Sequence, residues 1–321
     1  MPRVDALLAL LLTACGGSGG GDGMPDASST DAGSTDAGST DATASYNPLD
    51  GIGTVEWVAG GFEFIEGPQW IAATGTLLFS DIPGDRIHEL IPPATVTVFR
   101  TPSGNSNGLA VTAGGVLFAA EHGNRRVSTS AFAGAPTTLV DGYGPDRLNS
   151  PNDVIVRDDG TVYFTDPPYG IDDAARELDF IGVFRVPPGG DEPIAEWMGA
   201  LDQRPNGIGL SPDQRTLYVA DTADGVLRAW DITADGSLSG ERVLSHDVPN
   251  ADGLAVDAGG HLFVTTSAGV RVLGPDGATW GTIPVPEQPA NCAFGGADGR
   301  TLYITARTSL YRVALAHPGP P

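Results

Sequence analysis

The chain has 321 residues, with 40 Asp and Glu against 17 Lys and Arg, and a formal net charge of −23. That balance repels a phosphate backbone and excludes nucleic-acid binding through a general basic surface, while it favours solubility and the attraction of cations. With 45 Gly, 26 Pro and 40% hydrophobic residues, the composition points to a turn-rich all-β fold with enough apolar material for a core.

At the N-terminus, Arg3 is followed by the short apolar run Ala6 to Ala14. A bilayer span takes about 20 residues, so this run reads as a secretory leader instead. Leu12-Thr13-Ala14-Cys15 matches the bacterial lipobox, in which small residues precede a cysteine that becomes lipidated. Residues 1–15 are therefore expected to be a lipoprotein-type signal peptide ending at Cys15. Residues 16–50 repeat Ser-Thr-Asp-Ala amid Gly, with little apolar surface to offset the entropy of ordering. They are expected to form a disordered acidic tether. Residues 51–321 would then be one globular domain held in the bacterial cell envelope, on the periplasmic or cell-surface side. It would touch the membrane only through the lipid anchor and is expected to be a monomer.

Within that domain, six segments repeat. They begin at Glu66, Asn107, Asn152, Asn206, Asp252 and Asn291, at spacings of 41, 45, 54, 46 and 39 residues. Each lead residue is followed by a short apolar run, a Gly- or Asp-rich turn and a second apolar strand: TLLFSD, VLFAAE, TVYFTD, TLYVAD, HLFVTT and TLYITA. Third strands such as RIHELI and VLRAWDI come next. A four-stranded unit of about 40–45 residues is the period of a propeller blade. The fold is thus predicted to be an all-β, six-bladed β-propeller with four-stranded blades. The last unit is one strand short, and Thr54 to Ala59 (TVEWVA) is expected to supply it and close the ring, removing an open edge. Asp172 to Leu178 offers one short helical turn at most. The longest insertion, between Asn152 and Asn206, is expected to form a rim loop.

The first strand of a propeller blade lines the central channel, so a residue at one register in every blade faces one point on the axis. Here that ring is Glu66, Asn107, Asn152, Asn206, Asp252 and Asn291, all bearing oxygen acceptors. Oxygen ligands suit a hard divalent cation, and the absence of thiolate and imidazole disfavours structural zinc. Asn-Gly and Asp-Gly are also ordinary turn dipeptides, but Glu66-Gly67-Pro68 is not a usual turn choice, and no member of the ring is apolar. Around it, His122 is a candidate substrate-binding residue or a turn-fixing one, and Tyr169 on the rim loop could stack on a sugar ring. Asp81, Asp166 and Asp221 share a register with Glu121 and read as turn caps. Arg125 and Arg126 read as surface ion pairs, and Cys292 as a buried hydrophobe.

The segments EGPQW (Glu66 to Trp70), EHGNRRV (Glu121 to Val127), LNSPNDV (Leu148 to Val154), YFTDPPYG (Tyr163 to Gly170), RPNGIGLSPD (Arg204 to Asp213) and ADGLAVD (Ala251 to Asp257) resemble the gluconolactonase branch of the senescence-marker-protein/gluconolactonase/luciferin-regenerating-enzyme-like family. The likeness covers about residues 51–315. It implies a six-bladed propeller with one divalent metal in the channel, and hydrolysis of sugar lactones or related esters. On this resemblance Glu66, Asn206 and Asp252 fall on metal ligands, Asp252 also handling protons, and Asn152 falls on an asparagine near the metal that contacts ligand or water. Where animal members carry an arginine that grips the sugar acid, this chain has Ser150, so their substrate preference does not carry over.

The resulting expectation is a metal-dependent lactonase. Its cation is held by Glu66, Asn152, Asn206 and Asp252, with Ca2+ expected first and Mg2+, Mn2+ or Zn2+ as alternatives. The cation would polarise the lactone carbonyl, Asp252 would act as general base, and Asn107, Asn152, His122 and Tyr169 would contact substrate. Two other readings stay open at this point: another ester or phosphotriester hydrolase on the same constellation, and a non-catalytic propeller that binds partners with a structural ion.

Overall fold

The computed structural model describes residues 46–320, so the expected leader ending at Cys15 and the tether as far as residue 45 lie outside the described residues. Six four-stranded antiparallel sheets are arranged as blades. Blade one runs Ile65–Ile71, Thr76–Asp81, Arg86–Ile91 and Thr95–Arg100. Blade two begins at Ser106–Val111, blade three at Val154–Val156, blade four at Pro205–Leu210, and blade five at Leu254–Val256. Blade six is Asn291–Gly295, Thr301–Ala306 and Ser309–Ala314, and its outer strand is the N-terminal Glu56–Gly60. Glu56 pairs with Arg312 and Gly60 with Ser309, so the strand expected to close the ring does so.

Six separate apolar clusters make up the core, each built from two neighbouring blades. Ile71, Leu78 and Ile87 of blade one meet Leu109, Leu117 and Ala119 of blade two. Phe164 and Phe184 of blade three meet Phe118 and Val127 of blade two. Because every middle strand is covered on both faces, its side chains are apolar on both, which is why the sequence alternates only partly. Among the described residues, helix is confined to the single 3-10 turn Asp173–Ala175, within the segment expected to hold one.

Each first strand starts at what we call the upper end of the channel and runs down it. The second strand returns, so the connections between second and third strands also lie at the upper end. Both chain ends of the described region pack on the lower face. Tyr46 donates its hydroxyl to Asp257 (2.8 Å) in the lower turn of blade five and stacks on His317 at 3.6 Å. Residues 46–50, assigned by composition to the tether, are thus packed on the propeller. No helix among the described residues is long and apolar enough to cross a membrane.

Candidate active site

The six lead residues converge at the upper end. Glu66, Asn107, Asn152, Asn206 and Asn291 are buried, while Asp252 is half-buried and keeps a face on the channel. Hydrogen bonds between blades fix the ring. The amide of Gly108 donates to the Asn152 carbonyl (2.8 Å) and that of Gly207 to the Asp252 carbonyl (2.9 Å). Between these, the hydroxyl of Ser80 donates to the Asn107 carbonyl and that of Thr165 to the Asn206 carbonyl, both at 2.7 Å. The blades are so close here that a Cβ on Gly67, at φ +52°, would lie 2.1 Å from the Asn107 carbonyl oxygen, and one on Gly207 2.4 Å from that of Asp252. At these two positions glycine after the lead residue is therefore a condition of bringing neighbouring blades together.

The electrostatics follow from this crowding. Burial, then the negative charge of Asp252, raises Glu66 well above the ordinary carboxylate range. Burial pushes Asp252 up to about 7, against a hydrogen bond from the Asn206 amide. No arginine or lysine among the described residues pairs with either carboxylate, so their charge is met by a proton or by a cation from outside the chain. The amides divide by orientation. Asn206 gives its Nδ2 to the Thr222 hydroxyl (3.0 Å), leaving its oxygen free. Asn152 makes no side-chain hydrogen bond among the described residues. The oxygen of Asn291 instead accepts from the Cys292 amide at 2.8 Å, so Asn291 turns its NH2 towards Glu66 and Asp153. Free oxygens on Glu66, Asn152, Asn206 and Asp252 are the donor set a hard divalent cation takes. No group of three or more His, Cys, Asp or Glu among the described residues makes a cage of its own, so the amide oxygens are needed to complete one.

Around this ring lie the other candidates. His122 is buried, with Nε2 3.4 Å from Asn107 Nδ2. Burial lowers its pKa to about 4, so the ring is neutral near pH 7 and its nitrogen can accept from Asn107. Tyr169 is 44% exposed; its phenol meets Thr222 and Asn206 and feels the charge of Asp252. The rim loop carrying it folds over its neighbours: the Gly170 amide donates to Ser150 Oγ (3.0 Å), and a Cβ there would lie 2.7 Å from that of His122. All seven sequence-derived candidates, Glu66, Asn107, His122, Asn152, Tyr169, Asn206 and Asp252, are thus brought to one end of the channel.

Asp153 is a residue that sequence reasoning missed. It occupies the position that is Gly67, Gly108, Gly207 and Gly253 in four other blades, and its carboxylate fills space those glycines leave. Oδ1 accepts from the Val154 amide (2.9 Å) and Oδ2 from the Ile208 amide (3.2 Å) of the next blade. Burial pushes it up to about 6, and its charge reaches both Glu66 and Asp252. A carboxylate where the register otherwise asks for Gly was the available signal.

The turn-cap reading holds for three of the shared-register acids: Asp81 accepts from the amides of Glu63 and Phe64, Asp166 from Asn149 and Ser150, and Asp221 from Arg204 and Asp224. Arg126 pairs with Glu121 at 2.7 Å. The surface reading of Arg125 needs correction. It does form an ion pair, with Glu177 at 3.2 Å, but it is buried and also donates to the carbonyls of Leu148 (2.8 Å), Asn149 (3.0 Å) and Ala175 (3.1 Å), because loops distant in sequence fold over it. Cys292 is buried, as expected, and burial raises its thiol.

Residues 64–308 match the family model described as SMP-30/Gluconolactonase/LRE-like region. A gluconolactonase of Zymomonas mobilis is 33% identical over 296 residues, covering 83% of this chain and 82% of its own. The structure of a gluconolactonase from Xanthomonas campestris superimposes with a TM-score of 0.77 at 35% identity, over 84% of this chain and 91% of its own. A calcium-binding protein, regucalcin, from Agrobacterium tumefaciens shares the fold at a TM-score of 0.68 and 21% identity, over 84% and 97% of the two chains. With the family model spanning most of the propeller, the chain belongs to the SMP-30/gluconolactonase/LRE-like family.

Proposed function

We propose that this protein is a metal-dependent lactonase that opens sugar lactones of the gluconolactone type. The observation that carries the reading is the uncompensated pair Glu66 and Asp252, set among amide oxygens at the upper channel end, in a chain one-third identical to a gluconolactonase. A divalent cation held by Glu66, Asn152, Asn206 and Asp252, calcium by preference, supplies Lewis-acid polarisation of the lactone carbonyl when bound. Asp252 is the general base. It opens on the channel, where it takes a proton from the attacking water as the water oxygen bonds to the carbonyl carbon. The same proton passes to the ring oxygen as the ester bond breaks, leaving a hydroxy acid. Asn107 and the neutral His122 offer paired polar atoms to sugar hydroxyls, and Tyr169 covers the sugar face. On the strength of Leu12-Thr13-Ala14-Cys15 and the acidic repeat behind it, the enzyme is assigned to the bacterial cell envelope, held there by a lipid anchor.

The test is a pH-stat assay of the purified protein on a panel of lactones and one organophosphate triester, before and after chelation and re-addition of Ca2+, Mg2+, Mn2+ and Zn2+. Turnover of gluconolactone that chelation removes and calcium restores is the expected result. Turnover of the triester alone assigns the site to the other ester class, and binding of calcium without hydrolysis of any ester leaves a structural ion.

A further inference from the structure

Arg204 stands just ahead of the first strand of blade four, at the upper end of the channel. Two residues ahead of the six lead residues stand Phe64, Asn105, Ser150, Arg204, Asn250 and Pro289. Arg204 is the one cation at this register. Ser150, its counterpart in blade three, is fully buried and already receives the Gly170 amide beneath the rim loop, so that blade cannot offer its side chain to a ligand.

Arg204 is fixed at both ends. Its amide donates to Asp221 (3.1 Å), and its carbonyl accepts from Thr222 (2.9 Å), whose hydroxyl takes the Asn206 amide. Nη1 is held by the carbonyls of Leu201 (2.8 Å) and Gln203 (2.7 Å). Nε and Nη2 make no hydrogen bond, and no carboxylate pairs with the guanidinium, among the described residues. Its charge is felt at the Tyr169 phenol, which also feels Asp252. A half-buried guanidinium, oriented by its own backbone and left without a counter-ion in a chain of net charge −23, is built to meet an anion from outside. Its planar fork matches phosphate and carboxylate oxygens.

We propose that Arg204 determines specificity by binding an anionic substituent, phosphate or carboxylate, carried by the lactone away from its reacting carbonyl. This rests on the lactonase reading and names its substrate class. The cation ring and Asp252 would take the ester, while Arg204 and Tyr169 take the charged arm.

The experiment compares kcat/KM for gluconolactone phosphorylated on its primary hydroxyl, for glucarolactone, and for neutral gluconolactone, in the wild type, Arg204→Met and Arg204→Gln. Loss of one charge-assisted contact should lower the charged-to-neutral ratio about 30-fold, chiefly through KM. Whichever charged lactone loses more identifies the anion as phosphate or carboxylate. Arg242→Met, on the outer strand of blade four, should leave the ratio unchanged. Two neutral variants guard against a single folding failure. A ratio that moves less than threefold in both folded variants overturns the proposal. If the wild type opens no lactone, the lactonase reading fails by itself, and calorimetry with open-chain phosphorylated gluconate still decides Arg204: equal binding by wild type and Arg204→Met overturns its role, and lost binding upholds it.

Discussion

The two ends of the channel are made by the same six strands and have opposite chemistry. At the upper end, the lead residue of each blade brings a polar side chain to the axis, and three carboxylates, Glu66, Asp153 and Asp252, crowd together without a cation from the described residues. A few residues lower, Leu109, Val154, Ile208, Leu254 and Val256 line a cavity of about 350 Å3 with Trp70 and Phe294, which Gln69, Asp153 and Asn291 border on its polar side. The C-terminal segment closes on that chamber: Gly319 packs on Phe294 and donates to the Gly299 carbonyl at 3.0 Å, and Pro320 lines the space. The lower end is held by apolar packing and by the two chain ends bonded onto it, whereas the upper end is held against its own repulsion by stitches between blades. Chemistry belongs at the end where stability has been given up.

The largest test of that contrast is Asp252→Asn. It keeps the shape and removes one buried charge, so turnover should fall at least about 1000-fold, while the chelated protein should melt at a higher temperature than chelated wild type. Reading both changes in one variant matters. A melting point that dropped with activity would make Asp252 a structural residue, and the two ends of the channel would no longer differ in kind.

A second test uses the neutral histidine of the upper end. Burial holds His122 near pKa 4, whereas an unfolded chain leaves it at the ordinary 6.5. Between those values the unfolded state binds more protons, so the stability of the neutral form is complete above about pH 6.5 and lost as pH falls towards 4. The unfolding free energy of wild type relative to His122→Gln should decline by about 3 kcal/mol across that window. Denaturant titrations at several pH values measure it, and a pH-independent difference would mean that His122 opens to water.

How much of this could be read from the amino acids depends on the range of the contacts. The six lead residues were legible because each is followed by local turn and strand signals, and propeller symmetry turns equal register into equal place. Asp153 was hidden by Asn152, which with it forms an ordinary turn pair; only the missing glycine marked it. Arg125 looked like a surface residue because the carbonyls it serves arrive from residues 147–149 and 175, and no periodicity reports a loop folding over a strand end. Tyr46 and its partner Asp257 are 211 residues apart. Composition assigned Tyr46 to the tether because only tertiary packing sets that boundary.

The smallest expected effect belongs to the lower chamber. Val256 is 6% exposed, packs in the cluster between blades four and five, and also borders the cavity. Val256→Ala removes two methyl groups from a wall that already has empty space beside it, so it should cost roughly 1 kcal/mol. It sits four residues beyond Asp252, down the channel, yet the hydrogen bonds that place Asp252, from the Gly207 amide and to the Thr265 carbonyl (3.0 Å), lie above it. Turnover of the lactone should therefore stay within about twofold, because one lost hydrophobic contact can be absorbed locally. Urea unfolding and steady-state kinetics on the same preparation check the pair of outcomes. A large loss of turnover with so small a loss of stability would show that the apolar half of the channel supports the geometry of the ring above it.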